Sequence, residues 1–101
     1  MYLIDLTSIP NQTFSINLDG VNYRIALRTI QEMTYMSVWA NGEILFYNQL
    51  CVPNAYVNPY NYVGVNGKFF FKCINNDYPN YQLFGNTQSL YFVPSEEVSN
   101  A

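Results

Sequence analysis

Between Thr13 and Arg28 apolar and polar residues alternate on both sides of Asp19-Gly20. That dipeptide suits a two-residue primed turn, whose central residues both need positive φ. The turn sets a register in which Leu18 faces Val21, Ile16 faces Tyr23 and Phe14 faces Ile25. With a side-chain period of two, these residues share one face, and Ser15, Asn17, Asn22, Arg24 and Arg28 share the other. Asn41-Gly42 predicts a second hairpin, pairing Ala40 with Glu43, Trp39 with Ile44, Val38 with Leu45, Ser37 with Phe46 and Met36 with Tyr47. One of its faces then carries Tyr35, Trp39, Ile44, Phe46 and Leu50, and the other Met36, Val38, Leu45 and Tyr47. Both faces are apolar, whereas a free-standing two-layer sandwich leaves one face polar. Either a loop covers the second face or another protein does.

The rest of the chain extends this pattern. Tyr2 to Leu6 reads as a short edge strand, broken at Ile9-Pro10-Asn11 because proline cannot donate to a ladder. Thr29 to Glu32 reads as a connector. Lys68 to Ile74 is a strand with Phe69 and Phe71 on one face and Phe70 and Ile74 on the other, again suggesting burial on both faces. Gln88 to Val93 is the last strand, ended by Pro94. Two long loops remain, Val52 to Gly67 and Asn75 to Thr87, both holding Tyr, Asn and Pro. The pattern predicts an all-β domain over residues 1–94, a small antiparallel β-sandwich or partly open barrel of six to seven strands built from two hairpins. Residues 95–101 read as a polar C-terminal tail.

Composition narrows the function. A chain of 101 residues suits one domain. It is 50% hydrophobic and 18% aromatic, with ten Tyr and seven Phe, more ring surface than so small a core shelters. Its net charge is −3 and its four basic residues are scattered, which argues against nucleic acid and against a polybasic membrane patch. The start of the chain lacks the basic region of a signal peptide, and no stretch approaches the ~20 apolar residues of a membrane helix, so a soluble protein made in a cytoplasm is expected.

Histidine is absent, which removes the usual general base and metal ligand at neutral pH. Cys51 and Cys73 form no closed zinc site by themselves; they read as buried thiols in a reducing compartment, with one disulfide between them as the alternative. Asp19 and Glu43 sit at turns, and no carboxylate pair or Gly-rich phosphate loop appears. No enzyme and no cofactor is expected. The candidate partner-contact residues are the loop tyrosines Tyr56, Tyr60, Tyr62, Tyr78 and Tyr81, with Arg24 and Arg28 on the outward face of one strand. Tyrosine gives contact area and a hydrogen bond at low entropic cost, and arginine is enriched at interfaces. For the loop tyrosines the alternative is a lid folded over the core; for the arginines it is local cross-strand pairing, for example with Ser15.

Several segments resemble the tailed-phage baseplate plug family, whose cyanophage member belongs to a contractile tail. They are Tyr2-Leu3-Ile4 with Leu6, Pro10-Asn11-Gln12-Thr13-Phe14, and Leu18 through Arg28. Tyr35, Trp39, the Asn41-Gly42 turn and Ile44-Leu45 continue the likeness. It covers roughly the first half of the chain; Gln49 to Asn54 and the tyrosine loop depart from the family's Gly-containing turn. The resemblance implies a small β-domain at the baseplate axis in the virion, beside hub, spike and tail tube, without catalytic residues. It leaves room for self-association within the assembly. A small carbohydrate-binding module at a tail tip, stacking sugars on rings such as Tyr60 or Tyr81, is the alternative.

Overall fold

The computed structural model describes residues 1–57 and 67–94. They form eight strands: β1 Tyr2–Ile4, β2 Gln12–Leu18, β3 Val21–Ile30, β4 Met33–Ala40, β5 Glu43–Leu50, β6 Ala55–Tyr56, β7 Gly67–Cys73 and β8 Gln88–Pro94. One antiparallel sheet has the order β2-β3-β4-β5 and is a continuous meander. The other, β1-β8-β7-β6, gathers strands from both ends of the chain and is called here the terminal sheet. The fold is the small all-β sandwich that the hydrophobic pattern predicts, with no closed barrel. The strand beyond the expected six to seven is the two-residue β6, in a segment whose Asn and Pro content reads as loop.

Three two-residue turns shape the meander. Asp19-Gly20 (φ 52° and 80°) and Asn41-Gly42 (φ 50° and 87°) adopt the positive φ that their sequence predicts. The first hairpin has the expected register throughout. The third turn corrects the reading of Thr29 to Glu32 as a connector. Thr29 and Ile30 pair with Thr34 and Met33, so only Gln31 and Glu32 turn, at φ 51° and 66°. Neither residue favours that region, which costs an L-residue roughly 1–2 kcal/mol. The loop opposite helps to hold it, since Asn80 Nδ2 donates to the Glu32 carbonyl at 3.4 Å. Replacing the pair by Gln31→Asn with Glu32→Gly is expected to stabilise the fold by about 1 kcal/mol. A higher urea midpoint at unchanged m-value checks it.

The β4–β5 pairing differs from the simple register. Ala40–Glu43 and Trp39–Ile44 hold as expected, but Val38 then faces Phe46 and Met36 faces Gln49. Two extra residues are absorbed on β5, one at Leu45 and one before Gln49. At the second irregularity Asn48 takes a φ of 50°, and its N–H donates to Ser37 Oγ at 2.8 Å in place of a ladder partner. The consequence is a correction of the faces. Phe46 joins Met36 and Val38 in the core, while Tyr47 is 62% exposed. Ile44 is 52% exposed, so no described loop covers it, and Ile74 lies beyond the end of β7 at 69% exposure rather than buried on that strand's second face.

The core lies between the sheets. Leu18, Tyr23, Ile25, Leu27, Met36, Val38 and Phe46 of the meander meet Ile4, Phe69, Phe71, Leu90 and Phe92 of the terminal sheet. Rings interlock edge to face across the gap: Tyr23 lies 5.6 Å from Phe69 and Phe46 lies 6.4 Å from Phe69. Gly67 permits the closest approach in the terminal sheet, since a Cβ there would stand 2.7 Å from the Phe92 ring and press on the Val93 carbonyl. The 75–87 loop closes one side of the sandwich. Buried Gln88 accepts from Asn80 N at 2.8 Å and donates to the Tyr78 carbonyl at 2.9 Å, and Thr34 Oγ1 donates to the Pro79 carbonyl at 2.7 Å. A single turn of 3₁₀ helix follows at Tyr81–Leu83, capped by the Asn80 side chain.

Candidate interaction surface

The outward face of the meander is ordered in rows across the strands. Ser15, Arg24, Trp39 and Ile44 form one row, and Arg28, Tyr35 and Leu50 another. Between them runs a row of small residues, Thr13, Ala26 and Ser37. The small side chains leave a trough between taller neighbours. It holds a cleft of about 400 Å³ lined by Asn11, Gln12, Thr13, Ala26, Arg28, Ser37, Trp39 and Tyr47. Arg24 does not simply pair with Ser15 across the hairpin. Its guanidinium carbon lies 4.2 Å from the centre of the Trp39 ring, a cation–π contact that holds the charge in place at the surface. Both arginines are exposed, and neither forms an ion pair among the described residues.

The candidate tyrosines fall elsewhere. Tyr56 is on β6, half-buried, with its ring 5.6 Å from Phe70 and Lys68 Nζ 5.1 Å above it. It continues a second aromatic row, Leu3–Tyr91–Phe70–Tyr56, across the outer face of the terminal sheet. Tyr78 is exposed in the 75–87 loop, whereas Tyr81 is half-buried against the core. Tyr60 and Tyr62 lie outside the described residues, as does the 95–101 tail. The structure therefore brings Arg24 and Arg28 together on one face and spreads the three described tyrosines over two other places.

Trp39 and Tyr47 are the surface residues that sequence reasoning did not single out. Finding Trp39 beside Arg24 needs the β3–β4 register, and that depends on the Gln31-Glu32 turn, which has no compositional signature. Finding Tyr47 outside needs the β5 bulges.

Among the described residues no three His, Cys, Asp or Glu side chains cluster as metal ligands would. Cys51 and Cys73 are unbonded and buried. Burial pushes the Cys51 thiol well above its ordinary range, and the neighbouring Cys73 sulfur adds to the rise. Burial also raises Cys73, with Asp77 adding and a backbone hydrogen bond from Asn54 opposing. A raised thiol pKa keeps the folded protein neutral where unfolded thiols ionise. Stability is thus unaffected by these groups below about pH 8.5 and declines as pH rises above it. Titration with an aromatic disulfide reagent at pH 8 is expected to find Cys51 unreactive in the native state and both thiols reactive in denaturant.

No helix among the described residues is long and apolar enough to cross a membrane. No curated protein matches the chain. The family model described as cyanophage baseplate Pam3 plug gp18 matches residues 1–96, far past the segments that carry the resemblance in the sequence. With all but its last residues inside that match, the chain belongs to the cyanophage baseplate plug family.

Proposed function

We propose that the protein is packed at the tail axis beside the hub, spike and tail tube, and that it acts there through binding alone, without catalysis. The observation that carries this reading is the family match over residues 1–96, which makes the chain a structural baseplate protein of the virion tail. The surface supports packing among neighbouring proteins. Leu3, Ile44, Tyr47 and Tyr2 are all large apolar side chains left exposed on the described sandwich, and the outer face of the terminal sheet carries the Tyr91–Phe70–Tyr56 row. Such surface is costly in an isolated small domain and useful within an assembly. Contacts among copies of the chain fit the same surface. Synthesis in the host cytoplasm precedes incorporation.

Mass spectrometry of purified phage particles tests the placement in the virion, and a cryo-EM map of the tail end tests the position. Density for an eight-stranded sandwich is expected on the axis, in contact with hub, spike and tube. A particle without the protein, or with it at the baseplate periphery, overturns the reading. Peripheral density together with reproducible binding on a glycan array would mark a carbohydrate-binding module instead.

A further inference from the structure

We propose that the outer face of the meander sheet receives an extended, acidic segment of a neighbouring baseplate subunit, with a carboxylate seated against Arg28 in the cleft. The proposal rests on the baseplate reading above and names the chemistry of the partner. Half of the chain's four basic residues stand on this one face. They are four positions apart on β3, which sets them roughly 13 Å apart along the strand. Both lack an ion-pair partner among the described residues, although the chain as a whole carries a net charge of −3. The charge on this face is thus opposite to that of the protein and, among the described residues, unneutralised.

The form of the surface fits a peptide more closely than a sugar. The Thr13–Ala26–Ser37 row is a shallow floor between the Arg24–Trp39 and Arg28–Tyr35 rows, wide enough for a chain lying across the strands. One face of Trp39, the ring on which a sugar would stack, is already covered by Arg24. That contact orders the guanidinium in advance, so less entropy is lost when a carboxylate binds it. Trp, Tyr and Arg together at the centre of a surface are the residue types that dominate binding energy in protein interfaces. Nucleic acid is a poor occupant, since two cations neutralise few phosphates.

The test uses a phage lacking its own copy of the gene, supplied with the protein in trans, and reads incorporation in purified particles by mass spectrometry. Arg24→Glu with Arg28→Glu is expected to lower incorporation at least about tenfold, because a desolvated like-charge contact replaces an attraction. Arg24→Lys with Arg28→Lys keeps the positive charge on this face and is expected to retain most of the incorporation. Circular dichroism of the purified variants is expected to show the wild-type melting profile, since both arginines are exposed. Wild-type incorporation of the charge-reversed variant, or equal loss in the charge-retaining one, overturns the proposal. Absence of the wild-type protein from particles sinks the baseplate reading itself, and so separates the two failures. A photo-cross-linking residue at Tyr47 supplies a readout independent of the charge variants. Capture of an Asp- or Glu-rich segment of another baseplate protein supports the proposal; capture of a segment poor in acids, of a second copy of this chain, or of glycan overturns it.

Discussion

Phe69→Ala is expected to lower the unfolding free energy by about 3–5 kcal/mol. Phe69 is fully buried on β7 and sits at the centre of the aromatic contacts between the sheets. Its ring lies 5.4 Å from Phe92 on its own sheet, and 5.6 Å from Tyr23 and 6.4 Å from Phe46 on the meander. Truncation loses the transfer free energy of the ring and the edge-to-face contacts, and leaves a cavity that three large rings on stiff strands cannot collapse to fill. A domain of this size is stable by roughly 5–15 kcal/mol, so the variant stands near the threshold of folding. Phe70→Ala, one residue on and facing outward, is the matched control and is expected to cost much less. Urea denaturation of both proteins measures the difference. Equal losses would show that the two faces of β7 are covered alike.

Gln88→Leu is expected to cost about 3 kcal/mol while leaving side-chain volume nearly unchanged. Gln88 is 0% exposed, and its amide does the work of a strand for the loop beside it. Oε1 accepts from Asn80 N at 2.8 Å, while Nε2 donates to the carbonyls of Tyr78 at 2.9 Å and Asp77 at 3.4 Å. Leucine removes all three bonds and leaves backbone groups in a part-buried site without partners, each costing roughly 1–3 kcal/mol. The loop also bridges the sheets through Thr34 and the Pro79 carbonyl, so the loss should spread to β4. Hydrogen exchange at Asn80 and along the 75–87 loop is expected to quicken more than the global change in stability explains. Unchanged exchange there would mean that the loop is held by the burial of Pro79 and Phe84 instead.

The two cases mark where local pattern suffices and where it does not. Phe69 is legible as a core residue because alternation on a strand assigns faces without reference to the rest of the molecule. Gln88 is not, since a polar residue at the start of a strand looks like surface until the loop that needs its amide is in place. The candidate surface divides in the same way. Arg24 and Arg28 read correctly as outward neighbours, because the Asp19-Gly20 turn defines the face of β3. Trp39 and Tyr47 complete that surface only through two features with no local signature. One is a turn made of Gln31 and Glu32. The other is a pair of bulges on a strand whose faces are both apolar and so do not specify a register.

What the amino-acid sequence determines alone is the strand alternation, two of the three tight turns, the all-β class and the absence of histidine chemistry. Each follows from interactions between residues close in the chain or from composition. Tertiary structure decides which apolar face becomes core, how β5 slips past β4, and which rings and cations share the outer surface. Those outcomes depend on packing between sheets, where the burial of Phe46 and Phe69 outweighs the modest cost of bulged ladders and left-handed residues.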